Sequence, residues 1–158
     1  MSGERGGVDA EHSTQLGPRP ELVDSPDDPR VRQYRDVSDR LWLDAHGLFV
    51  AEGRSVIELA LRSPELVVES LLLSPSAYAA LEPQLALLTR AGQVFICSRA
   101  VMRKTSGVPF HQGAVALVRR PQRSESVAAI LEMACSRMRL VVADEVTDPD
   151  NVGGLFRN

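Results

Sequence analysis

A chain of 158 residues, 44% hydrophobic and 25% charged, carries enough apolar material for one ordinary core, or for one core and the start of another. No stretch approaches the roughly eighteen consecutive apolar residues of a membrane span, and the polar, Gly-rich N-terminus lacks a secretory apolar region, so the expected setting is cytoplasmic with no membrane partner. The formal net charge of −3 hides a division: residues 1–28 carry seven acids against Arg5 and Arg19, whereas Arg30 to Arg123 holds thirteen basic and eight acidic groups, the sign expected of a surface that meets phosphates.

Residues 1–28 are rich in Gly, Pro, Ser, Asp and Glu and cannot bury enough surface to order themselves, so they read as a disordered acidic arm. Pro29 opens a helical stretch through Val37, capped by Asp27 or Asp28, whose arginines either meet phosphates or form a solvated face while Tyr34 packs inward. Asp39 to His46 reads as a second short helix, stopped by Gly47 and anchored by Trp42. Leu48–Ala51 is a strand, and Glu52-Gly53-Arg54 turns it into an amphipathic helix with Val56, Ile57, Ala60 and Leu61 on one face. Glu52 and Arg54 could equally form a surface ion pair about a turn made by Gly53. Val67–Leu73 is the next strand, Ser74-Pro75 starts a helix through Leu81, and Pro83 starts another through Ala91.

Val94–Cys97 is a third strand, Ser98 caps a helix over Arg99–Thr105, Ser106 to Pro109 breaks it, and Ala114–Val118 is a last apolar strand ending at Arg119-Arg120-Pro121. Strands alternating with helices predict a small α/β/α domain over 29–121 with a mostly parallel sheet. Arg99 and Arg103, four apart, share a face beside Lys104; they form either a phosphate track or a solvated helix surface. His111 and Gln112 beside Gly113 suit a reader of base edges or ribose, or a structural loop. No aromatic pair lies on a strand, which argues against an RNA-recognition-motif sheet. Seventeen of the basic residues are Arg and only Lys104 is Lys; this suits bidentate phosphate binding and would also follow from a GC-rich genome. Cys97 and Cys135 have neither metal nor disulfide spacing and read as small buried hydrophobes.

Gln122 to Ser126 is a polar linker, and Glu125–Cys135 a helix with Val127, Ile130, Leu131 and Ala134 on one face, expected to pack on a second domain's sheet. Leu140–Ala143 is expected to be a buried strand. Asp148-Pro149-Asp150-Asn151 then supplies a turn and a helix N-cap before Val152, Leu155 and Phe156, with Gly153 and Gly154 permitting close backbone approach and Arg157 following one turn on. A calcium loop starting at Asp148 fails at Val152, which offers no side-chain oxygen, and neither a dinucleotide fingerprint nor a P-loop nor a Gly-x-Ser-x-Gly elbow is present.

Asp148-Pro149-x-Asn151-x-Gly153-x-x-x-Arg157 after an apolar strand resembles the first of three signature motifs of the SpoU-type RNA ribose methyltransferases. The strand, Glu52-Gly53-Arg54 and helix resemble the start of that family's substrate-binding domain, and His111-Gln112-Gly113 resembles its step before the last strand. The resemblance implies a methyl transfer from S-adenosylmethionine to a ribose 2′-hydroxyl in tRNA or rRNA, carried out in a knotted (SPOUT-type) α/β methyltransferase domain that begins at residues 137–158, after a linker and helix over 122–136. It implies that Glu52, Arg54, Arg99, Arg103, Lys104, His111 and Gln112 face RNA, that Arg157 is the motif's functional arginine, and that Asn151 fixes the loop beside it, while Asp148 and Pro149 shape the turn. The donor-binding motifs would follow Asn158. The chain is therefore expected to be a fragment without cofactor-binding residues, without a metal and without turnover, from a family whose members dimerise through the knotted domain. Two other readings remain: a stand-alone RNA- or ribosome-binding α/β module without catalysis, and an interaction protein whose acidic arm binds the partner.

Overall fold

The apolar runs form a single sheet. In the computed structural model, which describes residues 18–87, 92–121, 126–132, 139, 141, 143, 144, 146 and 149–157, the strands are β1 (Glu21–Val23), β2 (Leu48–Glu52), β3 (Val67–Leu73), β4 (Gln93–Cys97) and β5 (Ala114–Arg119). Their order across the sheet is β1-β4-β3-β5-β2. β4 runs parallel to both β1 and β3, whereas β5 runs antiparallel to both β3 and β2, so four strands point one way and β5 alone points back. The expectation of a mostly parallel sheet needs correction in its pairings, half of which are antiparallel. The cause is the loop 107–113, which returns the chain to the end of the sheet where β4 finished, so that Ala114 starts beside Leu73 and must run down from there.

β1 corrects the expectation that residues 1–28 form a disordered arm. Glu21, Leu22 and Val23 pair with Phe95, Ile96 and Cys97, and Val23 is buried. What holds so short a strand is Arg30, whose guanidinium donates to Glu21 Oε2 at 2.8 Å and to the Leu22 carbonyl at 3.0 Å.

Side chains alternate across the pleat and build two cores. On one face Leu71 and Leu73 of β3 and Ala114, Ala116 and Val118 of β5 meet Ile57, Ala60 and Leu61 of α2 (Arg54–Arg62), Ala77 and Leu81 of α3 (Pro75–Leu81), and Leu85 of a 3-10 helix, Glu82–Leu87. On the other, Leu72, Phe95, Val115 and Leu117 meet Leu43 of α1 (Arg40–Ala45), Met102 of α4 (Arg99–Ser106), and Val31 and Tyr34 of a second 3-10 helix, Pro29–Tyr34. This is the α/β/α layering expected. The stretch from Pro29 is a 3-10 helix rather than the longer helix expected, because the two residues it must bury, Val31 and Tyr34, are three apart and eclipse at three residues per turn. Tyr34 is fully buried, and its hydroxyl lies 2.8 Å from Ser70 Oγ. The helix expected from Pro83 to Ala91 is likewise a 3-10 helix ending at Leu87; Leu88 to Ala91 lie outside the described residues. Cys97 is buried, as expected of it, and Cys135 lies outside the described residues.

Residues 1–121 form one unit and 122–158 a second. In the second, α5 (Val127–Glu132) begins with Ser126 Oγ accepting from the Ala129 amide at 3.1 Å, and Leu131, expected on a packed face, is exposed. The buried strand expected at Leu140–Ala143 is not found in its described residues: Val141 is 75% exposed and neither it nor Ala143 is in a strand, no partner strand lying beside them among the described residues; Leu140 and Val142 lie outside these. α6 (Pro149–Arg157) starts earlier than expected, so Asn151 stands inside its first turn rather than on a turn before it. Pro149 explains this, since its fixed φ suits a first helical position and its missing N–H costs nothing there.

Candidate nucleic-acid interface

β2, β3 and β4 each run directly into a helix, so the first turns of α2, α3 and α4 open at one edge of the sheet, together with the start of β5. Helix starts present backbone N–H groups without intrahelical partners and the positive end of the peptide dipoles. Ser74 Oγ accepts from the Ala77 amide at 3.3 Å and Ser98 Oγ from the Val101 amide at 3.2 Å, which caps α3 and α4. α2 has Gly53 before it and no cap of its own. Its Arg54 amide donates instead to Gln112 Oε1 at 3.1 Å, a side chain 58 residues later.

The loop carrying Gln112 is fixed on all sides. The Gly113 amide donates to Phe110 O at 3.2 Å, the Ser74 amide to Gly113 O at 2.8 Å, and the His111 amide to Glu52 Oε1 at 3.1 Å. Gly113 has φ 62°, and a Cβ there would lie 2.7 Å from Ser74 Oγ, so the contact demands glycine twice over. On the far side Arg99 Nη1 reaches His111 O at 3.4 Å.

These elements enclose an open cleft of about 250 Å³ lined by Arg54, Ser76, Ala77, Arg99, His111 and Gln112. Four side chains predicted from sequence to face RNA thus come together. Glu52 joins them through the His111 amide, while Arg103 and Lys104 sit in the last turn of α4, exposed but outside the cleft. Ser76 was missed, because Ser74-Pro75-Ser76 reads as a helix start and nothing in it reports where the start will be placed. Asn151 and Arg157 lie on α6 in the other unit.

Among the described residues, the arginines that line the cleft are free of acidic partners. Arg30, Arg35, Arg40, Arg62, Arg119 and Arg120 are paired with carboxylates, whereas Arg54, Arg99, Arg103 and Lys104, like Arg19, Arg32 and Arg139 elsewhere, pair with none among the described residues. The cleft therefore offers two guanidiniums, a hydroxyl and an imidazole with no acid competing for the arginines, a set suited to phosphate oxygens. A second groove of about 200 Å³, lined by Gln33, Val67, Glu69, Ser70 and Gln93, has its chemistry committed internally: Glu69 pairs with Arg119, and Ser70 Oγ binds both Gln33 Nε2 and the Tyr34 hydroxyl. No group of three or more potential metal ligands occurs among the described residues, nor does any helix there have the length and apolarity to cross a membrane.

Residues 50–124 match the family model described as RNA 2′-O ribose methyltransferase substrate binding. That segment holds every lining residue of the cleft. A 23S rRNA (guanosine-2′-O-)-methyltransferase RlmB of Acinetobacter baylyi is 41% identical over 61 residues, which are 38% of this chain and 25% of that protein. A solved RNA 2′-O ribose methyltransferase superposes with a TM-score of 0.51 at 25% identity, covering 67% of this chain and 40% of that one. An rRNA methyltransferase from Sinorhizobium meliloti shares the fold, with a TM-score of 0.50 at 20% identity over 64% of this chain and 37% of its own. The chain thus spans well under half the length of the relatives it matches. Residues 50–124, set in an α/β/α domain whose fold these enzymes share, are thus similar to the substrate-binding domain of RNA 2′-O ribose methyltransferases.

Proposed function

We infer that the protein serves the methylation of ribose 2′-hydroxyls in rRNA or tRNA with S-adenosylmethionine as donor, and that the unit ending at Pro121 holds the RNA. The observation that carries this reading is the unpaired Arg54–Arg99 cleft, lying wholly within the segment that matches the substrate-binding family. The two guanidiniums engage consecutive phosphates, the α2 and α4 starts add favourable dipoles, and His111 and Ser76 contact sugar or base. Arg103 and Lys104 extend the positive track along α4. The cleft does not fit the methyl donor: of its six lining residues only Ala77 is apolar, and an adenine ring needs more apolar wall than that. The donor belongs to other residues, and no step through it runs on this cleft.

In the same reading Arg157 is the catalytic domain's partner for the phosphate or the reacting hydroxyl and Asn151 orients it, residues 137–158 open the knotted domain, and the working protein is a cytoplasmic homodimer. Fluorescence anisotropy with a labelled rRNA fragment tests the RNA half. Affinity should fall with salt, and Arg54→Ala and Arg99→Ala should each weaken binding and lower the slope of log K against log salt by about one. Slopes unchanged in both variants would remove the cleft from the interface. The rival reading, a binding module without chemistry, predicts the same anisotropy but no labelled methyl in RNA when a protein bearing this domain is incubated with labelled donor.

A further inference from the structure

Two residues that sequence reading sets against RNA have their oxygens turned toward the protein. Gln112 Oε1 accepts from the Arg54 amide at 3.1 Å, and Glu52 Oε1 accepts from the His111 amide at 3.1 Å. The two bonds are reciprocal: each joins the end of β2 or the turn just after it to the loop before β5, and each fixes the backbone of a residue whose own side chain lines the cleft. Gly53 sits between them with φ 90°, and a Cβ on it would lie 3.3 Å from Gln112 Oε1, so glycine both supplies the backbone angle and admits the Gln112 carboxamide. α2 has no other side-chain cap.

We propose that Gln112 and Glu52 are positioning residues, a paired clamp that sets Arg54 and His111 in register across the cleft, and that they act on RNA only through those two neighbours. The proposal rests on reading the cleft as an RNA interface, but the clamp itself has a readout that needs no RNA. By capping α2 from outside, Gln112 fixes where the helix begins and hence where the Arg54 side chain leaves it. Glu52 does the same for His111, and in spending an oxygen on the His111 amide it turns its carboxylate onto the protein backbone at the edge of a phosphate site.

Amide hydrogen exchange on the full chain tests the clamp. Gln112→Met should speed exchange at the Arg54 amide roughly fivefold, the weight of one ordinary hydrogen bond, and leave the Val101 amide, capped by Ser98, unchanged. Gln112→Glu keeps the acceptor and should restore protection. Glu52→Ala and Glu52→Gln should behave likewise at the His111 amide. Unchanged exchange at Arg54 and His111, or an equal rise at Val101, overturns the clamp. Binding of a fluorescein-labelled RNA hairpin then tests how the clamp acts: Gln112→Met should lower affinity in the wild-type background and add nothing in the Arg54→Ala background. Losses that add would make Gln112 a direct RNA contact and overturn the proposal. A wild-type chain that binds the hairpin no better than heparin would instead defeat the RNA reading, with the exchange result still deciding the clamp.

Discussion

Gly47 and Gly113 share a left-handed backbone, φ 63° and 62°, in different surroundings: nothing lies within 4 Å of a Cβ built on Gly47, whereas one on Gly113 meets Ser74 Oγ at 2.7 Å. Gly47→Ala should cost about 1 kcal/mol, the backbone term alone, and Gly113→Ala about 2–3 kcal/mol, since buried Ser74 must also shift. Urea denaturation of the two variants measures both, and equal losses would mean the Ser74 contact is soft. Asp28 shows what a titration should reveal. Its side-chain and backbone hydrogen bonds with Arg30 hold its carboxyl down at about 2, against an ordinary 3.8. A depressed folded-state pKa gives stability that is complete above 3.8 and is lost as pH falls toward 2. Asp28→Asn, which keeps a capping oxygen without the charge, should therefore flatten the acid limb of the stability curve in that window and leave its neutral part less affected by pH. Cys97 lies at the opposite extreme, with burial pushing its thiol up to about 11, so it should resist alkylation at pH 8 until the chain unfolds. At this scale the sequence singled out Arg54, Arg99, His111 and Gln112, four of the six residues that line the cleft. It could not tell which of them work on the protein rather than on a ligand, because the partners of Glu52 and Gln112 lie 59 and 58 residues away.

Elements that bury an apolar face were legible because burial imposes a period. Within β3, β4 and β5 the stretches 71–73, 94–97 and 114–118 are continuous apolar runs because both their faces are covered, and α2 shows Ile57, Ala60 and Leu61 at helical spacing. β1 left no such trace: of its three residues only Val23 is buried, and Arg30 supplies the rest of its attachment. The helix starts were legible through their caps. Asp28, Asp39, Ser74 and Ser98 all accept from the amides that follow them. Ser98→Ala should therefore cost about 1 kcal/mol of stability, read from thermal unfolding, while leaving the salt dependence of RNA binding as it was. A changed slope would mean that Ser98 meets the ligand. The direction of β5 was beyond sequence reading, since it depends on how far the loop 107–113 carries the chain and not on the strand's own residues.

At the largest scale, the seven ion pairs among the described residues involve six arginines, none of which lines the cleft, so Arg54 and Arg99 keep their charge there. Removing residues 1–17, which hold Glu4, Asp9 and Glu11 against Arg5, should strengthen RNA binding at low salt and make little difference at high salt, where fields beyond roughly 10 Å are screened. Loss of binding on that deletion would favour an arm that holds the partner itself. The placement of β5 also governs how the sheet can assemble. Among the described residues β2 touches no strand except β5, and β3 has β5 along one whole side. Until residues 114–119 have emerged from the ribosome, a nascent chain therefore carries β2 without its partner in this sheet and β3 with a bare, apolar flank. Productive folding waits for the last strand, and a chain halted near residue 110 would present two open edges to its neighbours, making it a candidate for chaperone capture or aggregation during synthesis.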